Sequence, residues 1–233
     1  LNVTPAYHVN NVIFNSNNTI TISNGQTLYV DGSISGTGTI SVAGILYVAG
    51  NIGTGITVNG NGTIYIEGAF TPASYSTTSG TVNYSGLSDQ TVSVYSYNNL
   101  TVSGSGVKTI ANNITISGNL NVSGTATLAS DIYQISRAAA GGSFTLGAGT
   151  ALTLGRTTNA TAVIFPTNFS TVTLDATSRV AYQSAADQTI ATYNYGILEI
   201  GGGATKALAN HTTLNGGLIL TNGILNLGNY NLI

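Results

Sequence analysis

The amino-acid sequence predicts an all-β fold: a single-stranded β-solenoid, or parallel β-helix, of triangular cross-section with about 18–20 residues per coil. Three observations predict it. Five-residue phrases of one kind recur eighteen residues apart: Leu28-Tyr29-Val30-Asp31-Gly32, Leu46-Tyr47-Val48-Ala49-Gly50 and Ile64-Tyr65-Ile66-Glu67-Gly68. Apolar residues fall at every sixth position without a break, at Leu28, Ile34, Ile40, Leu46, Ile52, Val58, Ile64 and Phe70. Charged residues make up only 5% of the chain, against ~25% in ordinary soluble domains.

A fixed period near twenty residues with strand-like content is the signature of coils that stack on one another. The phrase continues through Val82-Asn83-Tyr84-Ser85-Gly86 and Leu100-Thr101-Val102-Ser103-Gly104 to a stretched copy, Leu120-Asn121-Val122-Ser123-Gly124. The six-residue register divides each coil into three sides, with one apolar side chain per side pointing inward. Gly32, Gly38, Gly44, Gly50, Gly62 and Gly68 precede those positions by two, where a tight corner or a positive φ needs no Cβ. The scarcity of charge follows from stacking, because equivalent side chains lie ~4.8 Å apart and a charged column repels itself. Hydroxyls and amides instead hydrogen-bond along the column.

Along the chain, Thr19-Ile20-Thr21-Ile22 and Thr27-Leu28-Tyr29-Val30 alternate polar with apolar and stop at Asn24-Gly25 and Asp31-Gly32, the pattern of half-buried strands. The register falters at Ser76, and residues 71–80 are expected to form a loop or bulging corner, since Pro72 cannot serve a central ladder. Residues 82–124 align without gaps on 180–222, fifteen of forty-three pairs being identical, which predicts a duplicated module of about five coils. The shared residues include Tyr84/Tyr182, Asp89-Gln90-Thr91/Asp187-Gln188-Thr189, Tyr95/Tyr193, Tyr97/Tyr195 and Lys108/Lys206. Between the copies, residues 138–142 are expected to be a flexible connection and 130–137 a strand or one helical turn. The organisation is thus 1–81, N-terminal coils; 82–142, the first module with its connection; and 143–233, the second module. All belong to one continuous solenoid of about twelve coils, roughly 60 Å long at ~4.8 Å per coil. Its handedness is left open.

Net charge is −2 and Cys, Met and Trp are absent. No basic surface for nucleic acid is expected. Nor is a disulfide framework, which the missing thiols exclude. No run of eighteen apolar residues occurs, so no membrane insertion is expected. The chain opens at Leu1 without Met and stops mid-pattern at Ile233. The expectation is a piece of a longer protein, or an end covered by the start of another copy, where Val9, Val12, Ile13 and Phe14 are apolar.

Candidate chemistry is sparse. Asp89 and Asp187 recur beside Gln-Thr and are expected to be turn residues bonding backbone rather than calcium or sugar ligands. Lys108 and Lys206, each eleven residues after a Tyr, are expected to be bonded lysines at module corners. Asp31 and Glu67 share a column two coils apart with Ala49 between them, and no carboxylate pair is expected to work there. His8 and His211 lack partners at metal-ligand spacing. Thr19-Ile20-Thr21, Thr125-Ala126-Thr127 and Thr171-Val172-Thr173 are too scattered for an ice-binding face. The surface with most promise is the column Tyr29, Tyr47, Tyr65, which alternation turns outward once per coil. Such a ladder either stacks on itself or offers rings to sugars. No catalytic residue, cofactor or metal is expected.

The phrases Val82-Asn83-Tyr84, Asp89-Gln90-Thr91-Val92, residues 97–104 and Lys108-Thr109, with their second set at Tyr182, Asp187-Gln188-Thr189-Ile190 and residues 206–210, resemble repeats of very large β-solenoid surface proteins and adhesins of Bacteroidetes-type bacteria. Many of those leave the cell by the type IX route. The resemblance implies secretion to the cell surface and a non-enzymatic role as a rod, stalk or fibre segment. The expected partners are further repeats, a second copy stacked end to end into a filament, or surface glycans. The alternative is a carbohydrate-binding or carbohydrate-cleaving β-helix protein.

Overall fold

A computed structural model describes residues 6–233, so the opening five of the predicted N-terminal section lie outside the described residues. The chain is all-β, a β-solenoid of about 11 turns, one fewer than expected. Among the described residues the strands pair only in parallel, in sheets of ten, seven, four and three strands.

The six-residue register becomes three internal files. On the ten-stranded sheet Leu28, Leu46, Ile64, Val82, Leu100, Leu120, Phe144 and Val172 follow one another, each paired with the next. Ile20, Ile40, Val58 and Tyr75 form the file of the four-stranded sheet. Ile34, Ile52 and Phe70 form the third through isolated bridges. From Ile34 to Phe70 every register residue is buried, while Leu28 is only half-buried. Full burial of one such side chain contributes ~1.5–3 kcal/mol, and every coil repeats that contribution along the axis.

The corner glycines answer a different need from positive φ, which none of the six adopts. They let one coil lie hard against the last. A Cβ on Gly62 would stand 2.2 Å from the Gly44 carbonyl oxygen, and one on Gly68 2.3 Å from that of Gly50.

Two irregular regions are more ordered than their composition implies. Within 71–80 a short strand, Ser74–Ser76, closes the four-stranded sheet. It pairs Tyr75 with Val58, so this coil is one residue short and the ring replaces the expected Ser76 on the inside. Residues 138–142, expected as a flexible connection, lie within the twelve-residue strand Ile135–Leu146. That strand pairs first with Ile114–Ile116 and then with Leu120–Val122, turning a corner with Gly141 and Gly142 at positive φ. The Arg137 guanidinium braces the turn by donating to the carbonyls of Ser117, Gly118 and Ala139.

The duplicated segments do not lie on the same side. Val82 starts its module on the ten-stranded sheet, whereas its counterpart Val180 pairs with Leu152 and Leu198 on the seven-stranded one. Four steps, through Leu100, Leu120 and Phe144 to Val172, return to the original side, and Val180 lies one side further. The repeat therefore advances four full coils and rotates by one face of the prism.

Because the inward files hold the coils together, Leu46→Ala should destabilise the chain by about 2–5 kcal/mol. The outward Thr101→Ala should stay within ~0.5 kcal/mol. Urea unfolding followed by circular dichroism checks both.

Candidate functional site

Tyr29, Tyr47 and Tyr65 stand in register on the ten-stranded sheet. Their rings are stacked, with centroids 4.7 and 4.3 Å apart and planes within 5° and 12° of parallel. His8 extends the stack onto Tyr29 at 4.4 Å, and Asn83 follows Tyr65 in the file. Inner ring faces therefore meet other rings, leaving edges and hydroxyls to the outside. A sugar ring, which packs on an exposed aromatic face, finds none between these tyrosines. Burial, followed by the charge and hydrogen bonding of Tyr65, raises the Tyr47 hydroxyl above its ordinary value. Beside the stack runs a groove of about 180 Å³ bordered by Asp31, Ala49 and Glu67. Asp31 faces His8 at 3.8 Å, both well exposed.

The module residues serve the interior. Tyr84 and Tyr97 place their hydroxyls 2.9 Å apart; Tyr97 donates to the Ser93 carbonyl, and the Ser93 amide donates to Tyr84. Tyr182 and Tyr195 repeat this around residue 191, with hydroxyls 3.1 Å apart. The Gln90 side chain accepts from the Gly86 amide and donates to the carbonyls of Ile66 and Gly68. Gln188 does the same with Ser184, Leu154 and Val163.

Lys108 is fully buried, and its three ammonium hydrogens reach the carbonyls of Gly86, Ser88 and Ser105 at 2.5–2.8 Å. Lys206 donates to the carbonyls of Ser184 and Ala186. Burial lowers both lysines below the ordinary value, while Asp89 and Asp187 oppose the shift. The two aspartates do bond backbone, though not within their own turns. Asp89 accepts the Val107 amide and Asp187 the Thr205 amide, each eighteen residues on.

The aspartates belong to a wider device at the corners. Asn11 accepts the Ser33 amide, Ser33 the Asn51 amide, and Asn51 the Ala69 amide, at 2.7–3.0 Å. Asn99 and Asn119 extend a second relay to the Ser143 amide. The expected ladders run chiefly from side chain to backbone, with side-chain pairs such as Ser103 Oγ donating to Asn83 Oδ1 beside them.

The remaining candidates stay apart. Asp31 and Glu67 border the groove without meeting. The three Thr-x-Thr phrases fall on the four-, seven- and ten-stranded sheets. Among the described residues no group of three or more His, Cys, Asp or Glu could hold a metal ion, and no helix is long and apolar enough to cross a membrane.

One recurrent element escaped the alignment. Phe70 packs on Tyr95 and Phe165 on Tyr193, at 5.4 and 4.7 Å, but the irregular segment after Leu154 breaks the spacing. Also unforeseen is the buried Glu199, which pairs with Arg179 and accepts from Gln183. Its signal, a charge within the apolar run Ile197-Leu198-Glu199-Ile200, is too common to point to a partner.

Three outcomes follow from this chemistry. Lys108→Met should cost about 1–3 kcal/mol for each carbonyl left bare, read from the urea midpoint. Tyr47→Ala should cost only ~0.2–1 kcal/mol per lost ring pair.

The third concerns alkali. Desolvation pushes the Tyr84 and Tyr182 hydroxyls up to about 12, and burial, then their tyrosine partners, carry Tyr97 and Tyr195 well above 10.0. A proton kept only in the folded chain stabilises it fully below pH 10.0, and that stability is lost as pH rises toward about 12. Ultraviolet titration should show these four phenols ionising together with loss of the β signal. Comparison with protein-family models, curated proteins and solved structures finds no match for this chain.

Proposed function

We propose that this chain is a non-enzymatic structural segment of an extracellular rod, stalk or fibre on a bacterial surface, of the adhesin kind. One observation carries the proposal: the recurring polar residues of the module bond their polar atoms to the backbone of neighbouring coils. Tyr84, Gln90, Lys108 and their counterparts are joined to ladder or corner groups. Such side chains stiffen a stack, and their own polar groups are engaged there. A coil rise of ~4.8 Å gives reach along one axis from a narrow core, and sparse charge permits close association with like surfaces.

The proposed partners are coils of the same kind, either further repeats of a longer chain or a second copy that lengthens the rod into a filament. The self-stacked tyrosines weigh against the carbohydrate reading, because a saccharide would meet ring edges. Antibody raised against the folded chain should label intact source cells. Labelling only after permeabilisation would sink the surface role. Glycan-array binding lost on Tyr47→Ala would favour the carbohydrate reading instead.

A further inference from the structure

We propose that His211 is an acid-sensitive latch, holding the coil segment around Asn231 to the coil beneath it near neutral pH and letting it go in acid. His211 has a counterpart in Asn113. In the first module copy Asn112 accepts the amide of Asn113, and the Asn113 side-chain oxygen accepts the Gln134 amide of the next coil at 2.8 Å. In the second copy Asn210 accepts the amide of His211 in the same way, and His211 Nδ1 accepts the Asn231 amide of the next coil at 3.0 Å. The local geometry is repeated with only the acceptor atom changed, from an amide oxygen to an imidazole nitrogen.

That change matters chemically. A backbone amide can only donate, so Nδ1 must be without a proton for the bond to form. In the imidazolium both nitrogens carry hydrogen, and no rotation of the ring restores an acceptor. The other corner acceptors named above are Asn and Ser oxygens, which do not titrate, and the carboxylate oxygens of Asp89 and Asp187. Imidazole alone changes charge between about pH 5 and 8. The latch therefore holds while Nδ1 is without a proton and is lost when the ring takes one up.

Backbone bonds hold the same segment. Thr212 donates to the Asn231 carbonyl, Ile233 to the Thr212 carbonyl, and Leu214 to the Ile233 carbonyl. Leu232 is half-buried, while its neighbours are exposed. One hydrogen bond contributes to the local opening free energy that amide exchange reads. The titratable group against the ring is Tyr230, edge-on at 5.7 Å. Among the described residues no carboxylate pairs with His211.

Amide hydrogen exchange of the whole chain, corrected for intrinsic rates, tests this at about pH 7.5 and about pH 5, on either side of the imidazole titration. Protection of the Asn231 amide should fall about fivefold in acid, the factor carried by one net hydrogen bond. The Gln134 amide, held by Asn113, should not change and serves as the internal standard. His211→Asn should hold Asn231 equally at both values, and His211→Ala should leave it weakly protected at both. Equal protection of Asn231 in the unmodified chain at the two values would overturn the latch. So would an acid loss that persists in His211→Asn, or full protection in His211→Ala.

Discussion

A backbone wound into stacked coils has to turn corners, and at each corner an amide leaves the regular ladder. A bond made there within the chain instead of to water contributes ~0.5–1.5 kcal/mol net. This chain answers with side-chain acceptors placed one coil below, in the relays through Asn11, Ser33 and Asn51 and through Asn99 and Asn119. The abundance of Asn and Ser is thus part of the frame. Close stacking at glycine corners and the apolar files inside both presuppose that these amides are satisfied.

Where the corners carry more, the module residues take over. Lys108 gathers three carbonyls at one point, and Gln90 bridges an amide to two more. The hydroxyl pairs Tyr84–Tyr97 and Tyr182–Tyr195 bring polar tips into an apolar interior and satisfy them there. This explains why the same residue types return in the second copy: any one of them missing strands its partners.

The interior was legible because an unbroken six-residue spacing of apolar side chains matches neither the 3.6-residue period of a helix nor the two-residue alternation of a lone strand. Leu46, Ile64 and Val82 needed only counting to be placed in a common file. Tyr75 was not legible, because a coil shorter by one residue looks like a broken pattern and the local Pro and Ser point to a loop. Residues 138–142 misled for a similar reason: three alanines and two glycines look loose, yet Arg137 fastens them from the side. Recurrence marked the module tyrosines, but their hydroxyl pairing joins residues thirteen positions apart across the prism, which no local pattern reveals. The column Tyr29, Tyr47, Tyr65 was visible as a column; whether its rings faced outward or one another depended on side-chain torsions.

The one-face turn between the module copies bears on how the molecule presents itself. Features shared by the two copies point in directions a third of a revolution apart, like steps on a spiral stair. A flat partner laid along one side would touch only one of them, whereas a partner that winds around the shaft would meet both. Three such steps would bring the pattern back above its starting point, so a shaft built by this rule would show no preferred side.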